Sequence, residues 1–254
     1  MLLAIDIGNT NIVLGAFKQK QLIKSWRIST DPSKMVDEYG ILIRQLLQVS
    51  DIDCTTFKGI IISCVVPSIL SAMLEMSDKY FHLSPVVLSA RVDVGIPLLY
   101  DNPEEIGSDR IANTVGAYIE YGGPAIVVDF GTATSFDAIS EEGAYLGGVI
   151  APGIGISANA LFERAARLKR VELRRPEQII GKNTDACVQS GFYYGFLGQM
   201  EEIIRRMKVE MGGDPTVIAT GGLARLVAAD SLLVDKIDLD LTLKGLQIIY
   251  ERIQ

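Results

Sequence analysis

LLAIDIGNTN, residues 2–11, decides the fold. An apolar run ends in one carboxylate, Asp6, and Gly8, Asn9, Thr10 and Asn11 follow before a second apolar run, IVLGAF. The pattern predicts strand, tight turn, strand, with the carboxylate at the strand end. Backbone N–H groups and short hydroxyl and amide side chains in such a turn suit an anion, and Asp6 suits a metal ion. An ordinary hairpin, whose Gly and Asn only serve the turn, accounts for the same residues.

The arrangement returns in the second half. AIVVDFGTATSFDAI, residues 125–139, places Asp129 at the end of a buried run, followed by Gly131, Thr132, Thr134 and renewed alternation. From the first turn onward the order reads β-β-β-α-β-α-β. It has strands over 2–7, 11–17 and 21–29, a helix over 33–49 opened by Asp31-Pro32, a buried strand over 59–66, a helix from Pro67 to about Tyr80 and a strand over 85–89. Residues 91–110, RVDVGIPLLYDNPEEIGSDR, break the pattern, and a helix over 111–122 follows. A long irregular segment inside a compact chain is more often functional than idle. After the second turn come a strand and turn (AYLGGVIAPG), helices over 156–168 and 184–211, a strand running into a Gly-rich turn (PTVIATGG, 215–222), a short helix and a terminal helix over 241–253. A repeat of this size predicts an α/β chain of two similar domains, 1–115 and 116–254, facing each other across a cleft.

Bulk properties narrow the function. The 254 residues hold ample material for a core, and a net charge of −7 argues against nucleic acid or an anionic membrane as the main partner. The N-terminus shows no basic n-region or cleavage site, and the apolar run 60–66 is too short to span a bilayer. Cys54, Cys64 and Cys187 are odd in number and in no paired spacing, which predicts a reducing, cytoplasmic setting without disulfides or a zinc site. The single histidine, His82 in YFHLS, reads as structural, so a general base is expected to be a carboxylate.

Two Asp-Gly-Thr turns and Thr220-Gly221-Gly222 are three phosphate-friendly loops, and a strand-end carboxylate in each half suits Mg²⁺ with ATP. No complete P-loop is present: Gly181-Lys182-Asn183-Thr184 resembles its tail, but the upstream Gly falls on Pro176. Gly153-Ile154-Gly155-Ile156-Ser157-Ala158 fits a dinucleotide fingerprint, yet the preceding runs read as antiparallel and no acidic residue ends a strand about twenty residues on. A tight turn at a helix start suffices there. GSDR, 107–110, reads two ways. Asp109 takes a hydroxyl proton while Arg110 holds an anion, or Ser108 or Asp109 caps the next helix. RAARLKRVELRR, 164–175, reads as a solvated basic face or as a binding face for substrate or a partner subunit.

Taken in order, D-x-G-N-T at 6–10, Tyr100, G-S-D-R at 107–110, D-F-G-T at 129–132, G-G-x-I-x-P-G at 147–153, N-T-D at 183–185 and T-G-G at 220–222 resemble type III pantothenate kinase. The resemblance runs to about Leu246. The Asp-Gly-Thr turns alone mark only the wider acetate and sugar kinase, Hsp70 and actin superfamily. It implies two ribonuclease H-like domains and ATP-dependent phosphorylation of pantothenate to 4'-phosphopantothenate, the first step of coenzyme A biosynthesis. It further implies that Asp6, Ile7, Gly8, Asn9, Thr10, Asn11, Ile12 and Val13 cradle the ATP phosphates, that Asp6 holds Mg²⁺ through them, and that Thr132 contacts ATP. Asp109 is the implied proton acceptor and Arg110 the implied holder of the pantothenate carboxylate. Tyr100, Gly107, Ser108 and Thr184 would line the pantothenate pocket, and Asp129 would hold a monovalent cation, K⁺ or NH₄⁺. A homodimer is implied, drawing on the apolar and aromatic content of 184–200. The family more often has Ala where Ser108 stands. A sugar or acyl kinase of the same superfamily, or an ATP-binding switch without turnover, are the competing readings; the first would not need Tyr100 and GSDR, and two candidate metal carboxylates with a candidate base argue against the second.

Overall fold

The computed structural model describes residues 1–165 and 167–254. The first sheet has five strands in the order β3-β2-β1-β4-β5, with β1 Leu2–Ile7, β2 Asn11–Lys18, β3 Gln21–Ser29, β4 Gly59–Cys64 and β5 Val86–Val87. Strand β1 pairs antiparallel with β2 and parallel with β4. The second sheet repeats this as β10-β9-β6-β7-β8, with β6 Ala125–Phe130, β7 Ala133–Ile139, β8 Tyr145–Pro152, β9 Thr216–Thr220 and β10 Lys236–Ile237. Again the central strand β6 is antiparallel to β7 and parallel to β9. Strands β1 and β6 share one burial pattern, with the Asp half-buried beside fully buried apolar residues. Asp6 stands level with Val13 and Ser63, and Asp129 with Ser135 and Thr220. The predicted α/β repeat is therefore present at the level of strand order, direction and register.

The chain divides into two compact units, Met1–Gly116 with Asp240–Gln254, and Ala117–Leu239. In the first, Leu3, Ile5 and Ile7 pack with Tyr39, Ile43 and Leu47 of α1 (Val36–Gln48) and with Ile69, Met73 and Met76 of α2 (Pro67–Phe81). Alternation along β1 turns Leu2 and Ala4 to the other face. The terminal helix, Leu241–Arg252, packs on β1, β2 and β4. The expected boundary left this helix in the second domain; here it belongs to the first unit. Gly59 leaves room for the Tyr250 ring and Gly15 for Leu243, and Leu241, Leu243, Leu246 and Ile249 are fully buried. Burial of such side chains contributes about 1.5–3 kcal/mol each, so the helix is core to that sheet. In the second unit, Ile126, Val128 and Phe130 pack with α4 (Ile154–Arg164), α5 (Thr184–Met211) and α6 (Ala224–Val227), through residues such as Ile154, Ile204 and Ala224.

Several boundaries differ from the sequence reading. The helix α1 starts at Val36, not near Ser33. The Asp31 carboxylate accepts from the Ser33 N–H and hydroxyl, closing a local turn, and the Glu38 carboxylate accepts the Met35 N–H at the true helix start. Strand β5 keeps two residues of the expected five, because Pro85 brings no N–H and one further bond, Leu88 N–H to the Ile62 carbonyl, ends the ladder. Helix α4 spans Ile154–Arg164 rather than 156–168, starting directly behind Pro152-Gly153; within the remainder of the expected span, Ala166 lies outside the described residues. Strand β10 is too short to leave a periodic signal. No helix among the described residues is long and apolar enough to cross a membrane.

Candidate active site

In the first unit the turn after β1 is braced from both neighbouring strands. The Gly8 N–H donates to the Asn11 carbonyl (3.0 Å), the Thr30 hydroxyl to the Gly8 carbonyl (2.6 Å) and the Thr30 N–H to the Thr10 carbonyl (3.0 Å). On the β4 side the Val65 N–H donates to the Ile7 carbonyl (3.0 Å). Asn9 and Thr10 remain exposed at its tip. The Asp6 carboxylate accepts from the Ser63 hydroxyl, 2.9 Å away.

The helix α3, Ser108–Tyr121, begins three residues before its expected start. GSDR is therefore not a loop ahead of a helix: the Gly107 carbonyl accepts the Ile111 N–H, and Ser108, Asp109 and Arg110 form the first turn. An acid there meets the positive helix end. Asp109 Oδ1 accepts the Arg110 N–H at 2.8 Å, so one side chain serves the helix start and remains a base candidate. A Cβ on Gly107 would lie 2.5 Å from Asp109 Oδ1, which explains glycine beside the carboxylate. Burial pushes the Asp109 carboxyl above the usual carboxylate range, opposed by the Arg110 N–H and guanidinium. The helix is held against the terminal helix: a Cβ on Gly245 would fall 1.9 Å from the Ala112 carbonyl, and the Thr242 hydroxyl donates to Asn113 Oδ1 (2.7 Å).

Between the end of β4 and this helix start lies a cavity of about 350 Å³, lined by Cys64, Val65, Leu88, Ser89, Gly107 and Ser108 among others. Such a volume suits a small organic molecule. At its wall the Arg91 guanidinium pairs with Glu104 Oε1 at 2.8–2.9 Å. Of the residues expected at the pantothenate pocket, Gly107 and Ser108 line this cavity and Arg110 follows in the same helical turn. Tyr100 stands in the preceding irregular segment, 38% exposed. The Cys64 thiol is pushed up by burial and by Asp6, and stays neutral.

In the second unit Asp129 ends β6. Gly221 of the Thr-Gly-Gly turn adopts a left-handed φ of 90°, and a Cβ there would lie 2.4 Å from Asp129 Oδ1 and 2.7 Å from the Phe130 backbone. Gly153 sits against the Thr132 carbonyl, where a Cβ would approach to 2.1 Å. The dinucleotide-like string is thus a close-packed helix start. Thr184 opens α5 in an exposed position, behind Asn183, whose Oδ1 accepts the Ala186 N–H (2.8 Å). Within the basic run, Arg175 forks onto both oxygens of Asp230 (3.0 and 3.1 Å), which also accepts the Tyr193 hydroxyl. Burial and the hydrogen bond to Asp230 push the Tyr193 phenol up to about 12, and the ion pair gives Arg175 a structural task.

Among the described residues no group of three or more His, Cys, Asp or Glu side chains could hold a metal by itself. Mg²⁺ on a nucleotide needs no such cage, since it uses one or two carboxylates plus phosphate oxygens and waters. Asp6, at the end of β1 where the turn begins, fits that requirement. Sequence reasoning missed Ser63 and Thr30. Ser63 carried a signal, a lone hydroxyl inside the buried run GIIISCVV, in the strand that would pair beside Asp6.

Two sheets of one topology, each with a carboxylate and an Asp-Gly-Thr turn at the end of its central strand, define the class: the ribonuclease H-like fold of sugar kinases and actin. A solved structure from Campylobacter jejuni, provisionally described as a conserved Baf family transcriptional activator, shares this fold at 21% identity and a TM-score of 0.61, covering 98% of each chain. Residues 2–206 match the family model described as type III pantothenate kinase. The chain is 54% identical over 252 residues to a type III pantothenate kinase of Moorella thermoacetica, covering 99% of both. It is 50% identical over 252 residues to that of Bacillus cytotoxicus, covering 99% of this chain and 96% of the other. The chain belongs to the type III pantothenate kinase family.

Proposed function

We propose that the chain transfers the γ-phosphoryl group of ATP to the primary hydroxyl of pantothenate, giving 4'-phosphopantothenate and ADP, the first step of coenzyme A biosynthesis. The observation that carries the chemistry is Asp109, a carboxylate of raised pKa in the first turn of a helix whose start lines a small-molecule cavity. The hydroxyl oxygen attacks the γ-phosphorus, the bond to the bridging oxygen breaks, and the hydroxyl proton goes to Asp109. Arg110 holds the pantothenate carboxylate, and Tyr100, Gly107, Ser108 and Thr184 contribute to its pocket. The turn from Asp6 to Val13 takes the ATP phosphates, its backbone held by Thr30 and Val65 through the Gly8, Thr10 and Ile7 carbonyls. Asp6 would hold the Mg²⁺ that accompanies ATP, and that ion would supply charge neutralisation at the phosphates. Asp129 would hold K⁺ or NH₄⁺, for which its carboxylate would supply a hard oxygen ligand. Thr132 contacts ATP. The protein works as a cytoplasmic homodimer joined through 184–200, where Phe192 and Phe196 stack.

A coupled ADP-release assay with pantothenate, a panel of sugars and acetate, with and without K⁺, tests this reading. ADP release with pantothenate alone and stimulated by K⁺ is expected. Turnover on a sugar or acetate instead, or ATP binding without turnover, overturns it.

A further inference from the structure

Three polar groups outside the turn form an ordered chain behind Asp6. The Ser63 hydroxyl lies 2.9 Å from Asp6 Oδ1 and 3.0 Å from the Ser108 hydroxyl, and the Cys64 N–H donates to Ser108 Oγ at 3.0 Å. Ser63 is fully buried and Ser108 is 7% exposed. Each hydroxyl has one proton to give, and an ionised carboxylate only accepts. Ser63 therefore donates to Asp6, Ser108 donates to Ser63, and the Cys64 N–H fills the remaining demand at Ser108. The reverse order would strand the Ser108 proton and withdraw the donor from Asp6, which is expensive in a buried position.

The partners belong to three elements. Asp6 ends β1, Ser63 and Cys64 end β4, and Ser108 opens α3 one residue before Asp109. The Ser108 hydroxyl is thus committed to β4, although the residue also lines the cavity. From this geometry we infer that Ser63, with Ser108 behind it, is a positioning residue. It fixes the Asp6 carboxylate for the metal–nucleotide and ties it to the helical turn that carries the base. The inference rests on Asp6 being the Mg²⁺ ligand, as proposed above. Groups that orient a metal-binding carboxylate typically change metal affinity or activity by about 10–100-fold when removed.

The test is Mn²⁺·ADP binding by calorimetry, in the parent chain and in Ser63→Ala, Ser108→Ala, the double variant and Asp6→Asn. Melting temperatures verify the fold, and steady-state kinetics give KM for pantothenate. Ser63→Ala should weaken Mn²⁺·ADP binding about tenfold. Its KM for pantothenate should stay within about threefold, because substrate contacts are untouched. The double variant should be no weaker than Ser63→Ala, since both hydroxyls act in one chain. If Ser63→Ala fails to fold, the double variant, which strands no hydroxyl, carries the same expectation. Binding within about twofold of the parent in Ser63→Ala or the double variant, with Asp6→Asn clearly weakened, overturns the inference alone. Unchanged binding in Asp6→Asn overturns the metal reading of Asp6 and the inference with it.

Discussion

The two strand-end carboxylates occupy equivalent places in equivalent sheets, yet their surroundings have diverged. Asp6 meets a hydroxyl from the parallel neighbour β4, and its turn is braced by Thr30 and Val65. Asp129 meets the backbone of Gly221, in a turn so close that a single methyl group would collide with it. The repeat kept the backbone position of the acid and changed what presses on it. A hydroxyl donor fixes a carboxylate while leaving its charge available, which suits a dication on phosphates. A glycine wall closes off the space beside the carboxylate instead of offering it a hydroxyl.

The largest effect should come from the group that only the first unit carries beside its turn. Asp109→Asn is expected to lower kcat by about 10²–10⁴-fold, measured by ADP release. In the parent, kcat/KM should fall as pH drops through a value above the ordinary aspartate pKa of about 4, and the variant should lack that limb. The stability sign follows from the same shift. A carboxyl raised in the folded state is best tolerated protonated, so its favourable contribution is lost as pH rises through the folded value. Asp109→Asn should therefore melt at or above the parent at neutral pH, with the gap closing in acid. A cross-comparison of the two acids comes next. Asp6→Asn should raise the Mg²⁺ needed for half-maximal rate about tenfold, and Asp129→Asn should abolish the difference between K⁺ and Na⁺ buffers. Interchanged phenotypes would break the assignment of the two sites. Smaller still, Gly221→Ala should destabilise by about 1–3 kcal/mol in denaturant titration. Gly8→Ala, whose Cβ meets only the Asn11 carbonyl at 3.2 Å with no left-handed φ, should cost less than about 1 kcal/mol. Thr30→Val should cost about 1 kcal/mol by removing the hydroxyl from the Gly8 carbonyl.

The repeat was legible because strand alternation and turn chemistry are local, and both halves carry them in one order. The helix of Asp109 was misplaced by three residues because Gly107, Ser108 and Asp109 look the same as a loop or as a helix start; only tertiary packing decides. The terminal helix gave its length and its apolar face but not its sheet. That choice is made by cavities at Gly15 and Gly59, far away in sequence. Ser63 shows the same limit from the other side: its type and burial were readable, but its partners come from residues 6 and 108 and only register unites them.

The return of the last helix to the first unit has a consequence for the order of events during synthesis. The second unit is one continuous stretch, Ala117–Leu239, while the first needs segments from both ends of the described chain. Emerging from the ribosome, the second unit can complete its core first. The first must wait, with one face of its central strands uncovered, until residues 241–252 arrive. The helix that presses Gly245 onto α3 therefore reaches the turn of Asp109 only after the whole second unit has been made.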